Sequence, residues 1–99
     1  MKYQLVKTSN FIRSAKKYAR NNSDFLIALN ESLTLLTKDP STSKLKTHKL
    51  KGELKEFWSC SVDYNIRILF QFVKAIDSVS GQPVEAILLV DIGSHDEVY

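Results

Sequence analysis

Between Ile66 and Val73 the chain alternates with strict period two. Ile66, Ile68, Phe70 and Phe72 fall on one face of an extended strand, and Arg67, Leu69, Gln71 and Val73 fall on the other. Asp77 to Pro83 follows, with the Ser, Gly and Pro residues of a hairpin loop. Val84 to Ile92 is then apolar on both faces, as a central strand requires. Two strands joined by so short a loop pair antiparallel. The C-terminal half therefore builds a sheet, and the rest of the chain must cover at least one of its faces.

The preceding residues supply that cover. Thr8, Ser9 and Asn10 offer N-cap oxygens, and Phe11, Ala15, Tyr18 and Ala19 share one helical face. Asn21 and Asn22 break this helix, and Ser23 can cap a second. Phe25, Leu29, Leu33 and Leu36 form the buried stripe of that helix, and Asp39-Pro40 ends it. Tyr3 to Lys7 alternates as a short first strand. Ser41 to Lys51 reads as a polar, lysine-rich loop, Leu54 to Val62 as a strand, and Asp63, Tyr64 and Asn65 as a turn. Gly93 and Ser94 end the last strand and leave a tail, His95 to Tyr99. The order of strand, two helices and three strands predicts an α+β fold. A helical hairpin would cover one face of a largely antiparallel four-stranded sheet, leaving the other face open. With 99 residues, 1–99 is expected to be a single domain.

Composition narrows the setting. The chain is 43% hydrophobic and 25% charged, which is ordinary for a globular protein. Its formal net charge of +3 leans toward anionic partners. Lys44, Lys46, Lys49 and Lys51 crowd together with no acid among them, whereas the segment from Asp91 onward carries acids and no Lys or Arg. The lone Cys60 excludes an internal disulfide and fits a reducing compartment. The longest apolar run, Ala86 to Val90, is too short to span a bilayer, and no secretory signal is evident. A soluble, cytoplasmic protein without a membrane partner is expected.

Three residues stand out for chemistry. His48 precedes the second strand, His95 follows the last, and Arg67 is an isolated charge among large apolar strand residues. If the last three strands are neighbours, all three can meet on the uncovered face. Such a set suits transfer within an RNA phosphodiester. Imidazoles can take a proton from the 2′-hydroxyl and give one to the leaving 5′-oxygen. A guanidinium can hold the charged phosphorane, and lysines can hold the backbone. Tyr99 or Phe57 could stack on a base. Each residue also has an ordinary reading: His48 as loop surface, His95 as tail, Arg67 as a solvent-facing charge or the partner of Glu85 or Asp91, Cys60 as a small buried apolar group. No metal-ligand spacing, phosphate loop or Ser-His-Asp spacing is present, so neither a metal nor another cofactor is expected.

Three segments, taken in order, resemble toxins of the RelE/ParE superfamily. His48-Lys-Leu-Lys-Gly-Glu-Leu-Lys-Glu-Phe-Trp-Ser59 is similar to the entry into their second strand. Arg67-Ile-Leu-Phe70 resembles a strand of theirs, and Ile92-Gly-Ser-His95-Asp-Glu-Val-Tyr99 resembles the ending of the YafQ and YoeB branches. The resemblance implies a RelE-like fold and the toxin of a type II toxin–antitoxin pair. It implies an endoribonuclease that cuts mRNA on the ribosome without a metal and is blocked by a protein antitoxin. His95 matches the general acid, His48 a YafQ-type histidine, Arg67 a phosphate-binding arginine and Tyr99 a functional terminal aromatic. Lys46, Lys49 and Lys51 would be general RNA contacts. Ser61 and Asn65 stand where the YafQ pattern has a histidine and an aspartate, so the general base remains open between His48 and Asp63. Two rivals share this framework: a ParE-like poison of DNA gyrase, and a non-catalytic module binding RNA or protein. The set of His48, Arg67 and His95 favours the nuclease.

Overall fold

A computed structural model describes residues 3–99. Strand β1 spans Gln4–Lys7, helix α1 Ser9–Ala19 and helix α2 Ser23–Lys38. Strands β2 (His48–Lys49), β3 (Trp58–Ser61), β4 (Ile66–Ile76) and β5 (Pro83–Ser94) follow, and a short helix α3 (His95–Val98) ends the chain. Single 3-10 turns lie at Ser43–Leu45 and Gly52–Leu54.

The helix limits follow from local chemistry. The Thr8 hydroxyl accepts the Phe11 amide of α1 and donates to the Leu89 carbonyl at 2.8 Å, tying the cap to β5. Asn21 takes the left-handed conformation, φ 54°, that separates the two helices. Asn22 then caps α2 by accepting the Phe25 amide at 3.0 Å.

The sheet order is β1-β5-β4-β3-β2. β1 runs parallel to β5 and every other pairing is antiparallel. The sheet thus has five strands where the sequence predicts four. The addition is β2, a two-residue strand inside the lysine-rich segment, too short to carry a period of its own. β3 is shorter than Leu54–Val62. Gly52, at φ 69°, and the turn to Leu54 hold the chain out of extended geometry until Trp58. Between β4 and β5 the register shifts: Leu69 faces Asp91 and Phe70 faces Leu89, leaving Val90 as a bulge.

One core lies between the helices and the sheet. Ile66, Ile68 and Phe70 of β4, Ile87, Leu89 and Ile92 of β5 and Cys60 of β3 pack with Phe11, Phe25, Leu29 and Leu36 of the helices. Each such side chain contributes about 1.5–3 kcal/mol by leaving water. The face expected to lie open is not fully open, because α3 folds back over part of it.

Candidate functional site

Directly paired strand residues project from the same side of a sheet, so register decides which side chains share a face. His48 pairs with Ser59, and Ser59 with Leu69. The next row of that face runs from Ser61 through Arg67 to Gly93. His48 and Arg67 therefore lie on the side opposite the core, about two strand spacings (~10 Å) apart across the sheet and one step along it. The intervening Ile68 and Cys60 turn inward and are fully buried.

Gly93 brings in the third residue. An added Cβ there would meet Glu97 Cβ at 3.1 Å and Val98 Cγ1 at 3.3 Å, so α3 rests directly on this bare stretch of β5. A capping box holds the turn. The Ser94 hydroxyl accepts the Glu97 amide, and the Glu97 carboxylate accepts the Ser94 amide at 3.0 Å. That amide, with Lys17 at 3.5 Å in support, lowers the Glu97 carboxyl below its ordinary range. Val98 is buried beneath the turn. The Tyr99 hydroxyl donates to Ser59 Oγ, in the same row as His48. The His95 ring stands edge-on to Tyr99, with centroids 4.4 Å apart, and its side chain is 71% exposed. The Asp96 carboxylate lies 3.6 Å from His95 Nδ1. A chain of contacts, His95 to Tyr99 to Ser59, thus leads to the neighbour of His48.

Arg67 is held by backbone. Its Nη1 donates to the carbonyls of Asp63, Tyr64 and Ile66 at 3.1, 3.2 and 3.4 Å. Among the described residues Nε and Nη2 make no such bond, which leaves donors for an anion. Glu85 and Asp91, the alternative partners, are taken elsewhere: Glu85 accepts from Lys74 at 2.7 Å and Asp91 from Ser14 at 2.9 Å. His48 is exposed on the edge strand, with Nδ1 3.1 Å from the Lys46 carbonyl. An imidazole so placed keeps Nε2 toward solvent for proton exchange.

The remaining candidates divide. Asp63 Oδ1 accepts the amides of Asn65 and Ile66 at 2.9 Å each, so this carboxylate builds the β3–β4 turn; Asn65 sits exposed in the same turn. Lys49 pairs with Trp58, one step from His48, and so projects from the opposite side of β2. Lys46 and Lys51 are exposed, before and after β2. Burial pushes the Cys60 thiol up to about 12, as expected of an inert core group. Among the described residues no three His, Cys, Asp or Glu side chains come together as a metal set, and no helix is long and apolar enough to cross a membrane.

Sequence reasoning passed over Ser59, Gly93 and the Ser94–Glu97 pair. The last was readable, since Ser-x-x-Glu after a strand is the mark of a capping box. Ser59 had no such mark, because its role depends on register with His48 and on the return of Tyr99.

Residues 3–99 match the family model of the bacterial toxin of type II toxin–antitoxin systems, YafQ. No curated protein matches. Among solved structures, a metal-bound toxin from Helicobacter pylori is 28% identical, with a TM-score of 0.70 over 98% of this chain and 99% of the other. YafQ from E. coli is 14% identical at a TM-score of 0.72, covering 98% of each chain. The E. coli DinJ–YafQ complex is 15% identical at 0.70, again over 98% of each. The last two likenesses speak to the fold alone, and that fold is the RelE-like arrangement. With its whole described length matched, the chain belongs to the YafQ family of bacterial toxins of type II toxin–antitoxin systems.

Proposed function

We propose that this chain is an endoribonuclease that cuts mRNA on the ribosome by a metal-independent transesterification. The supporting observation is the register: His48 and Arg67 share the sheet face onto which α3 folds His95. In this reading His48 takes the proton of a 2′-hydroxyl, whose oxygen attacks the adjacent phosphorus. His95 gives a proton to the departing 5′-oxygen. The P–O5′ bond breaks, leaving a 2′,3′-cyclic phosphate and a 5′-hydroxyl. Arg67, anchored through Nη1, offers its remaining donors to the phosphorane, where the negative charge grows. Tyr99 holds His95 in place and stacks on a base, while Lys46 and Lys51, before and after β2, hold flanking phosphates; Lys49, on the other side of β2, is not placed to join them. The Asp63 carboxylate is the weaker candidate for base, since turn amides already occupy one of its oxygens.

The partner in this reading is a small cognate antitoxin covering the His48–Arg67 face, as a toxin–antitoxin family requires and as the DinJ complex of the E. coli neighbour suggests. Both act in the cytoplasm, where the translated message is.

Expression of the unmodified chain and of His95→Ala in growing cells, with primer extension on a translated message, tests the nuclease. New 5′ ends are expected only with the unmodified chain. Equal growth arrest by both chains with the message intact would point instead to gyrase or another target.

A further inference from the structure

A cleft of about 420 Å³ opens at the end of the sheet, between α2, the Ser43–Leu45 turn and the β3–β4 turn. Its volume lies within the ~300–1,000 Å³ of small-ligand sites. Leu35, Leu45 and Val62 supply apolar wall. Of its acids, Glu31 is paired with Lys44 at 3.3 Å, and Asp63 Oδ1 is occupied by turn amides. Two cations remain. Arg67 reaches it from the row of the sheet that also holds Gly93. Lys46 takes the left-handed conformation, φ 52°, with its backbone N–H donating to the Ser43 carbonyl. At the mouth stands Tyr64, 91% exposed. Its carbonyl holds Arg67, but among the described residues its ring stacks on no other aromatic. With Lys44, Lys46 and Arg67 set against Glu31 and Asp63, the cleft keeps a net positive charge beside this unstacked ring.

We propose that this cleft is a nucleotide subsite for single-stranded RNA, next to the scissile position. It rests on the nuclease reading above and extends it to Tyr64, Leu45 and Val62, which have no role there. The phosphate of the flanking nucleotide lies between Arg67 and Lys46, and its base stacks on Tyr64 against the Leu45–Val62 wall. Backbone cations combined with an aromatic platform hold single strands without reading base edges. Arg67 then serves two adjacent phosphates through its Nε and Nη2 donors, and sets the path of the strand from Tyr99 toward α2.

The test uses the full chain carrying His95→Gln, which keeps the RNA intact, and a fluorescein-labelled RNA hexanucleotide followed by anisotropy across a salt series. Adding Tyr64→Ala is expected to weaken binding about tenfold without changing the salt slope. Tyr64→Phe retains the parent affinity. Lys46→Asn, which tolerates the same backbone, lowers the slope by about 0.7, the value for one lost phosphate contact on a single strand. Parent-like affinity of Tyr64→Ala together with a parent-like slope of Lys46→Asn overturns the subsite. If the unmodified chain still cleaves RNA in that case, the nuclease reading stands. Absence of both binding and cleavage in the parent and unmodified chains overturns both readings. A loss confined to binding of the antitoxin, with RNA affinity intact, also overturns the subsite and assigns Tyr64 to a protein contact.

Discussion

Replacing Gly93 with alanine would put a methyl carbon 3.1 Å from Glu97 Cβ and 3.3 Å from both Glu97 Oε1 and Val98 Cγ1. Carbon pairs prefer ~3.5–4.0 Å, so either α3 or the strand beneath it must move by several tenths of an ångström. Overpacking of this kind costs about 1–3 kcal/mol in a rigid core. β5 yields less readily, because Gly93 sits in the ladder opposite Arg67 of β4 and the adjacent Ile92 is buried in the core. α3 can, because a capping box, the buried Val98 and the Tyr99–Ser59 bond are what hold it. The cap is worth about 1 kcal/mol and the neutral hydrogen bond about the same. The clash is thus comparable with the attachment, and the turn lifts. Stability falls by about 1–2 kcal/mol, which for a domain of this size lowers the melting midpoint by roughly 4–16 °C. Cleavage suffers more, since an ångström of displacement at a reacting group costs on the order of a hundredfold. Gly93→Ala should therefore remain folded by circular dichroism at 20 °C (~20 °C being well below any such midpoint) while cutting RNA at about one hundredth of the normal rate. Normal cleavage with an unchanged midpoint would refute the docking of α3 on Gly93 as the source of His95's position.

Other outcomes follow from the same contacts. The Glu97 carboxyl is depressed mainly by the Ser94 amide and secondarily by Lys17, so its contribution to α3 is complete above the ordinary glutamate pKa and disappears as pH falls through the lowered folded value. Amide resonances of His95–Tyr99 should shift below about pH 4 ahead of global unfolding; resonances that move only with the whole fold would contradict this. With its thiol at about 12, Cys60 should react with iodoacetamide roughly a thousandfold more slowly in the native protein than in denaturant, and comparable rates would place it at the surface. Ile68→Ala, at a fully buried position between Cys60 and Ile92, should lose about 2–5 kcal/mol in urea titration; a loss below ~1 kcal/mol would mean the core is not centred on β4.

The helices and long strands were legible because their signals are local. Thr8 and Asn22 cap where side-chain oxygens precede apolar stripes, and Ile66–Phe72 carries its period openly. β4 and β5 run past Val73 and Ile92 because pairing with each other carries them on, to Ile76–Pro83 at one end and Ile66–Ser94 at the other. β2 could not be read, since two residues hold no period and the strand exists through its bonds to β3. α3 is a single turn, too short to carry a helical period, and only the Ser94-x-x-Glu97 cap marks it in the sequence. Within the site, residue types marked His48, Arg67 and His95 as chemically able, but nearness is a property of register. The same register sets Lys49 on the side away from His48, although the two are adjacent in sequence. Tyr64 was read as a turn residue; its exposure and the cleft beside it depend on α2 and the Ser43–Leu45 turn, which are distant in sequence.

The most direct test of the central claim is end-group analysis of a message cut by the purified chain on translating ribosomes. Mass spectrometry should find 2′,3′-cyclic phosphate and 5′-hydroxyl ends with the unmodified protein, and neither with folded His95→Ala or Arg67→Ala. Cleavage that leaves 5′-phosphate and 3′-hydroxyl ends would contradict an imidazole and guanidinium mechanism on this sheet face.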